Sequence, residues 1–148
     1  MPQTPSLLDF YPLEDEKSTR ISKFFDNVRQ GHFTTTRCTK DQSVHWPPRV
    51  VCPQCHGEAI EWIELPKKGR LFAFSALLLG LPMGMEGEAG AVVGMVELDG
   101  WPIKIFSRIA NAKYEDCHIG DAVEWDPYTI PDGRVFFRFR KPAAPPPA

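Results

Sequence analysis

Apolar residues recur at Ile21, Phe24, Phe25 and Val28, the spacing of one face of an α-helix, and Gly31 follows where a left-handed cap would end it. The pattern predicts a helix over about residues 14–30 with Phe24 and Phe25 buried. That face either packs on its own domain or docks on another chain. From Glu61 the period changes to two. Residues 69–79 read as a strand opened by a Pro-Lys-Lys-Gly turn, residues 80–90 as a loop with four glycines and a proline, and residues 91–98 as a second strand. Asp99-Gly100 is a hairpin turn signal into a third strand over 101–109. Residues 112–118 allow one helical turn, and strands over 121–125 and 134–140 flank the turn Pro131-Asp132-Gly133. Alternation puts Val135, Phe137 and Phe139 inward and Phe136, Arg138 and Arg140 outward. Trp101, Ile103 and Ile105 alternate in the same way against Lys104 and Arg108.

About five short strands with a helical turn before the fourth fit a small OB-type barrel. The expected class is therefore mainly β with an N-terminal helix, a ribbon, and then an OB-fold barrel. The expected organisation is an arm and helix over 1–31, the ribbon over 32–60, the barrel over 61–141, and a disordered proline-rich tail over 142–148.

The ribbon assignment rests on its cysteines. Cys52-Pro53-Gln54-Cys55-His56-Gly57 places two thiols at C-x2-C spacing, converging on one centre. In the first half Cys38 has Asp41 at the offset where a second cysteine would complete a four-cysteine zinc ribbon. The expected ligands of a structural zinc ion are Cys38, Cys52 and Cys55. Asp41 is the positional fourth, and His45 and His56 are competitors for that place. A ribbon that keeps the fold without metal is the remaining alternative. Four protein ligands would leave no open position for water, so the site would be structural.

Composition narrows the class further. The 148 residues carry a net charge of −2 with a pI near 6.1, so the basic excess of a general nucleic-acid binder is missing. No apolar run is long enough to span a membrane, and residues 1–5 lack the pattern of a secretory signal. Four cysteines without such a signal favour metal over disulfides, and a cytoplasmic location is expected. Cys117 reads as a small buried thiol rather than a nucleophile. The 80–90 loop lacks the Lys-Ser/Thr ending of a phosphate-binding loop. It is a connection, or an apolar lid built on Leu81, Met83 and Met85. Arg134, Arg138, Arg140 and Lys141 form a basic edge.

A set of residues spread over about 18–140 now resembles one family. It comprises Phe24-Phe25, Gly31, Cys38, Pro47-Pro48-Arg49, Cys52-Pro53-Gln54-Cys55, Gly69, Val96-Glu97-Leu98-Asp99-Gly100 and Ile119-Gly120-Asp121-Ala122-Val123. The family is the domain-of-unknown-function group with a rubredoxin-like zinc ribbon and an OB-fold, described as acyl-CoA-associated. The resemblance implies a non-catalytic partner of a thiolase-like catalytic subunit in a hetero-oligomer. Such a partner helps form or order an acyl-CoA site, with coenzyme A or acyl-CoA at the interface. The small subunit of an aromatic acylsuccinyl-CoA thiolase is one candidate within it, implying thiolysis of the benzoylsuccinyl-CoA type in anaerobic aromatic degradation. Under that resemblance Arg134, Arg138 and Arg140 would attract coenzyme A phosphates, where the guanidinium fork suits the geometry. Asp41 departs from the family's cysteine pattern. The alternative is a single-stranded nucleic-acid module, with Phe72, Phe74 and Phe136 as stacking candidates.

Overall fold

The computed structural model describes residues 14–79, 87, 89–130 and 133–143. Its elements are helix α1 (Ser22–Arg29), strands β1 (Thr34–Cys38), β2 (Val44–His45), β3 (Ile60–Glu64), β4 (Lys68–Ala76), β5 (Val92–Leu98) and β6 (Lys104–Ala110), a 3-10 turn at Tyr114–Asp116, then β7 (Ala122–Thr129) and β8 (Val135–Arg140). They form two compact units, one of Glu14–Lys67 with Pro127–Phe137, the other of Lys68–Asp126 with the residues from Arg138 on. The expected class, mainly β with one N-terminal helix, a ribbon and an OB-type barrel, is the one observed.

The helix is shorter at its start than the apolar spacing implies. Asp15 Oδ1 accepts from the amides of Lys17 and Ser18, both at 2.9 Å, and from the Ser18 hydroxyl at 2.8 Å. A carboxylate that binds the amides just after it offers the backbone an alternative to helix, so residues 15–18 turn instead. The far end matches expectation. Gly31 has φ +78, its amide donates to Val28 O at 3.0 Å, and His32 N donates to Asn27 O at 2.8 Å. These two bonds close a Schellman cap, which needs a left-handed residue at the glycine position.

In the first unit α1 buries Phe24, Phe25 and Val28, so its apolar face is used internally rather than left for another chain. Phe24 meets Phe25, Trp46 and Phe137 edge-on with ring centroids 5.3, 6.0 and 6.2 Å apart. Phe33, fully buried, lies 5.7 Å from Trp46 and 5.6 Å from Phe137. The sheet runs β2-β1-β3, all antiparallel, with Thr36 opposite both His45 and Trp62. Glu14 is buried here, its carboxylate accepting from Val135 N at 3.0 Å and from Arg29 Nη2.

In the second unit the barrel closes in the order β4-β5-β6-β8-β7. Consecutive strands pair antiparallel from β4 to β6, β4 also pairs with β7, and β8 runs parallel to β6. In barrel numbering that is first, second, third, fifth, fourth, the Greek-key arrangement of an OB-fold. Leu71, Val96, Leu98, Ile105, Val123 and Phe139 fill its interior. A Cβ on Gly69 would lie 2.6 Å from Glu97 O and 2.8 Å from Val96 Cγ1, so β4 can pass this close to β5 only on a glycine. Ile103, Ile105 and Phe139 are buried as the alternation predicts; Val135 is buried as well, but in the first unit, where its amide meets Glu14. Phe137 is half-buried, and its ring joins Phe24, Phe33 and Trp46 in the first unit. The third strand begins at Lys104 rather than 101, and the fourth extends to Thr129 rather than 125. Leu81, Met83 and Met85, the proposed lid, lie outside the described residues, as do most of the turn at 131–133, the arm over 1–12 and most of the tail.

Candidate metal centre

Two turns of nearly identical construction carry the candidate ligands. In the first, Cys38 N donates to Ser43 O at 2.9 Å, and Gln42 N donates to Cys38 O at 3.0 Å. In the second, Cys52 N donates to Gly57 O at 2.9 Å, and His56 N donates to Cys52 O at 2.9 Å. Each turn also holds a left-handed residue at the same step, Gln42 with φ 61 and His56 with φ 55. Asp41 therefore occupies in the first turn the place that Cys55 occupies in the second. The missing cysteine has changed the ligand atom but left the backbone of the knuckle intact.

The ligand atoms of Cys38, Asp41, Cys52 and Cys55 all lie within 4.8 Å of one another. Cys38 Sγ is 3.6 Å from Cys55 Sγ, and Cys52 Sγ is 3.2 Å from Asp41 Oδ2. Zinc held tetrahedrally at about 2.3 Å from sulfur and about 2.0 Å from oxygen gives edges of about 3.8 Å between sulfurs and about 3.5 Å between oxygen and sulfur. The observed separations are close to those edges, so the donor set fits a tetrahedral ion in size and in chemistry. The cysteines are free thiols, with Cys38 and Cys52 buried and Cys55 exposed. Gln54 N points at Cys52 Sγ from 3.4 Å, an amide contact that favours a thiolate.

Asp41 is held ready to ligate through one oxygen. Its Oδ1 accepts from the Ser43 hydroxyl at 2.5 Å and the Ser43 amide at 2.9 Å, leaving Oδ2 turned toward Cys52. The Ser43 hydroxyl and then its amide hold the carboxyl well below the usual carboxylate range, so it is ionised at any physiological pH. Neither competing histidine belongs to this cluster. His45 is buried on β2, with Nε2 3.2 Å from Ser43 Oγ and Nδ1 3.4 Å from Thr36 Oγ1. His56 is exposed at the left-handed step after Cys55. Ser43 faces this cluster and Thr36 faces His45, and neither is marked by the cysteine spacing. The available signal is a hydroxyl two residues after a carboxylate, the spacing at which an Asp side chain caps a turn.

The other singled-out residues are scattered. Arg138 Nε pairs with Asp126 Oδ2 at 2.8 Å, and Arg140 Nη1 lies 3.9 Å from Asp126 Oδ1. Arg134 rests over the Phe136 ring at 5.9 Å, and that ring stacks on Tyr128 at 5.9 Å. Lys104 Nζ covers the Phe72 ring at 4.4 Å, and Phe74 packs against Tyr114. Cys117 Sγ donates to Lys113 O at 3.2 Å, and burial pushes its thiol above the ordinary range. Among the described residues, no helix is long and apolar enough to cross a membrane.

Fold and site together define a class: a ribbon of two metal knuckles joined in sequence to a five-stranded OB barrel. Comparison with known proteins agrees with that class and sharpens it. Residues 25–61 match the ChsH2 rubredoxin-like zinc ribbon domain, and residues 62–126 match the ChsH2 C-terminal OB-fold domain. The two matches are contiguous, together cover more than half of the chain, and stand in the family's order; the chain belongs to this ChsH2-type zinc-ribbon and OB-fold family. Among curated proteins, it is 29% identical over 110 residues to the benzoylsuccinyl-CoA thiolase subunit BbsA of Thauera aromatica, covering 71% of this chain and 73% of that one. Among solved structures, the Ltp2-ChsH2(DUF35) aldolase superposes with a TM-score of 0.71 at 19% identity, covering 86% of this chain and 98% of that chain. A DUF35-family protein of unknown function from Sulfolobus solfataricus gives a TM-score of 0.53 at 16% identity, covering 81% and 90%. At these identities the structural likenesses establish the fold.

Proposed function

We propose that this chain is a non-catalytic subunit of a thiolase-type complex acting on acyl-CoA thioesters, and that it helps order the partner's acyl-CoA site. The observation that carries the reading is the match to a benzoylsuccinyl-CoA thiolase subunit, which covers 71% of the chain. A substrate of the benzoylsuccinyl-CoA type is the specific form of the proposal. Cys38, Asp41, Cys52 and Cys55 hold a zinc ion in this reading. The donor geometry supports it, and four protein ligands leave no position for substrate or water. Bound zinc would supply a cross-link between the two knuckles, adding to the aromatic cluster of this unit. We assign Arg134, Arg138 and Arg140 to attraction of coenzyme A phosphates; Asp126 keeps two of the guanidinium groups aligned along β8. Free cysteines suit a reducing compartment, so the reading carries a cytoplasmic location with it.

The test is co-purification of the tagged chain from its native host, with mass spectrometry and zinc content on the same sample. The expected result is a stoichiometric thiolase-like subunit and about one zinc per chain. Recovery with single-stranded nucleic acid and no such subunit would replace this reading with the oligonucleotide-binding one.

A further inference from the structure

Behind Asp41 runs a chain of hydrogen bonds whose direction is given by the carboxylate at its end, which can only accept. Arg49 N has one proton, and it donates to Thr36 Oγ1 at 2.8 Å. The Thr36 hydroxyl keeps its own proton for the ring nitrogen it faces, His45 Nδ1 at 3.4 Å, when that nitrogen is the acceptor. A neutral imidazole that accepts at Nδ1 carries its proton on Nε2. Nε2 faces Ser43 Oγ at 3.2 Å. Ser43 accepts there and donates its single proton to Asp41 Oδ1 at 2.5 Å. Ser43 Oγ also lies 3.5 Å from Cys52 Sγ, so the same hydroxyl touches both Asp41 and the buried cysteine of the other knuckle. Thr36 and His45 are buried, so water does not compete for these bonds. The corresponding place in the second knuckle is Gly57, where a Cβ would stand 3.4 Å from Cys55 Sγ. The thiolate knuckle thus has no side chain behind its ligand, and the carboxylate knuckle has a hydroxyl.

We infer that Ser43, oriented by His45 and Thr36, is a positioning residue for Asp41, and that this relay allows a carboxylate to replace a knuckle cysteine. The inference rests on zinc binding as proposed above. By occupying Oδ1, Ser43 leaves Asp41 a one-oxygen ligand aimed by Oδ2, and it stops the carboxylate from swinging out to solvent. His45 then acts from behind the ligand set rather than within it. Outer partners that orient a ligand typically change metal affinity by about 10–100-fold when removed.

The test is zinc affinity of the full chain, by competition with a chromophoric chelator, together with the visible spectrum of the cobalt-loaded chain. Ser43→Ala should weaken zinc binding by about tenfold or more and shift the cobalt bands. Ser43→Thr, which keeps the hydroxyl, and His45→Gln, which keeps a donor at the Nε2 position, should stay within a few-fold of the unchanged chain. The decisive arm is Asp41→Cys, which restores a four-cysteine knuckle. In that background Ser43→Ala should have little effect, because no carboxylate remains to be oriented. An equal loss in both backgrounds would reduce Ser43 to a fold-stabilising residue, and no loss in either would overturn the relay. An unchanged chain that takes up no zinc would instead contradict the metal reading itself.

Discussion

Replacing Cys52 with alanine should empty the metal centre and unfold the ribbon unit. Cys52 is fully buried, its amide and carbonyl close the second knuckle, and its sulfur lies 3.2 Å from Asp41 Oδ2. Binding of structural zinc contributes about 10–16 kcal/mol to folding in isolated zinc fingers, far more than a small unit has in reserve. Zinc content should fall from about one per chain to near zero. The circular dichroism of the ribbon sheet should be lost, and the chain should no longer co-purify with its partner. Because the proposed role is structural, the partner's chemical step should be affected only through loss of the complex. A Cys52→Ala chain that still folds and still forms a tight complex, yet has lost turnover, would contradict the structural assignment.

The second large effect is expected at Phe33→Ala. Phe33 is wholly buried between Trp46 and Phe137, and its carbonyl accepts from Leu65 N at 2.7 Å. Removing a buried aromatic ring typically costs about 3–5 kcal/mol, the lost transfer energy plus the cavity left behind. The four ligands are untouched, so zinc uptake by the folded fraction should persist while the urea midpoint, followed by tryptophan fluorescence, drops sharply. The two variants thus separate the metal from the aromatic cluster as sources of stability. A loss under about 1 kcal/mol would show that the cluster collapses around the gap or is not the core of this unit.

Much of this architecture is legible from residue spacing, because the relevant physics is local. Phe24, Phe25 and Val28 lie on one helical face, and Gly31 has the left-handed backbone its position demands. The C-x2-C offset identifies Asp41 as the equivalent of Cys55, and the two knuckles agree bond for bond. What spacing does not carry is competition and distance in sequence. The helix starts at Ser22 because the Asp15 side chain captures nearby amides, which apolar periodicity does not register. Glu14 reaches Val135, 121 residues away, and no local pattern announces that bond. Alternation correctly separates Phe137 from Phe136, but not the ribbon cluster that Phe137 joins from the barrel interior that Phe139 fills. Sequence alone leaves His45 open as a ligand, because it lies near the cysteines along the chain. Its place on β2, paired with Thr36, turns it to the layer behind Asp41.

The most direct test of the proposed role is a thiolysis assay with benzoylsuccinyl-CoA and free coenzyme A, using the purified chain, the purified thiolase-type subunit that co-elutes with it, and the two together. The account predicts no turnover by the chain alone, little by the partner alone, and full turnover by the mixture. Turnover by the chain alone, or full turnover by the partner without it, would contradict the account.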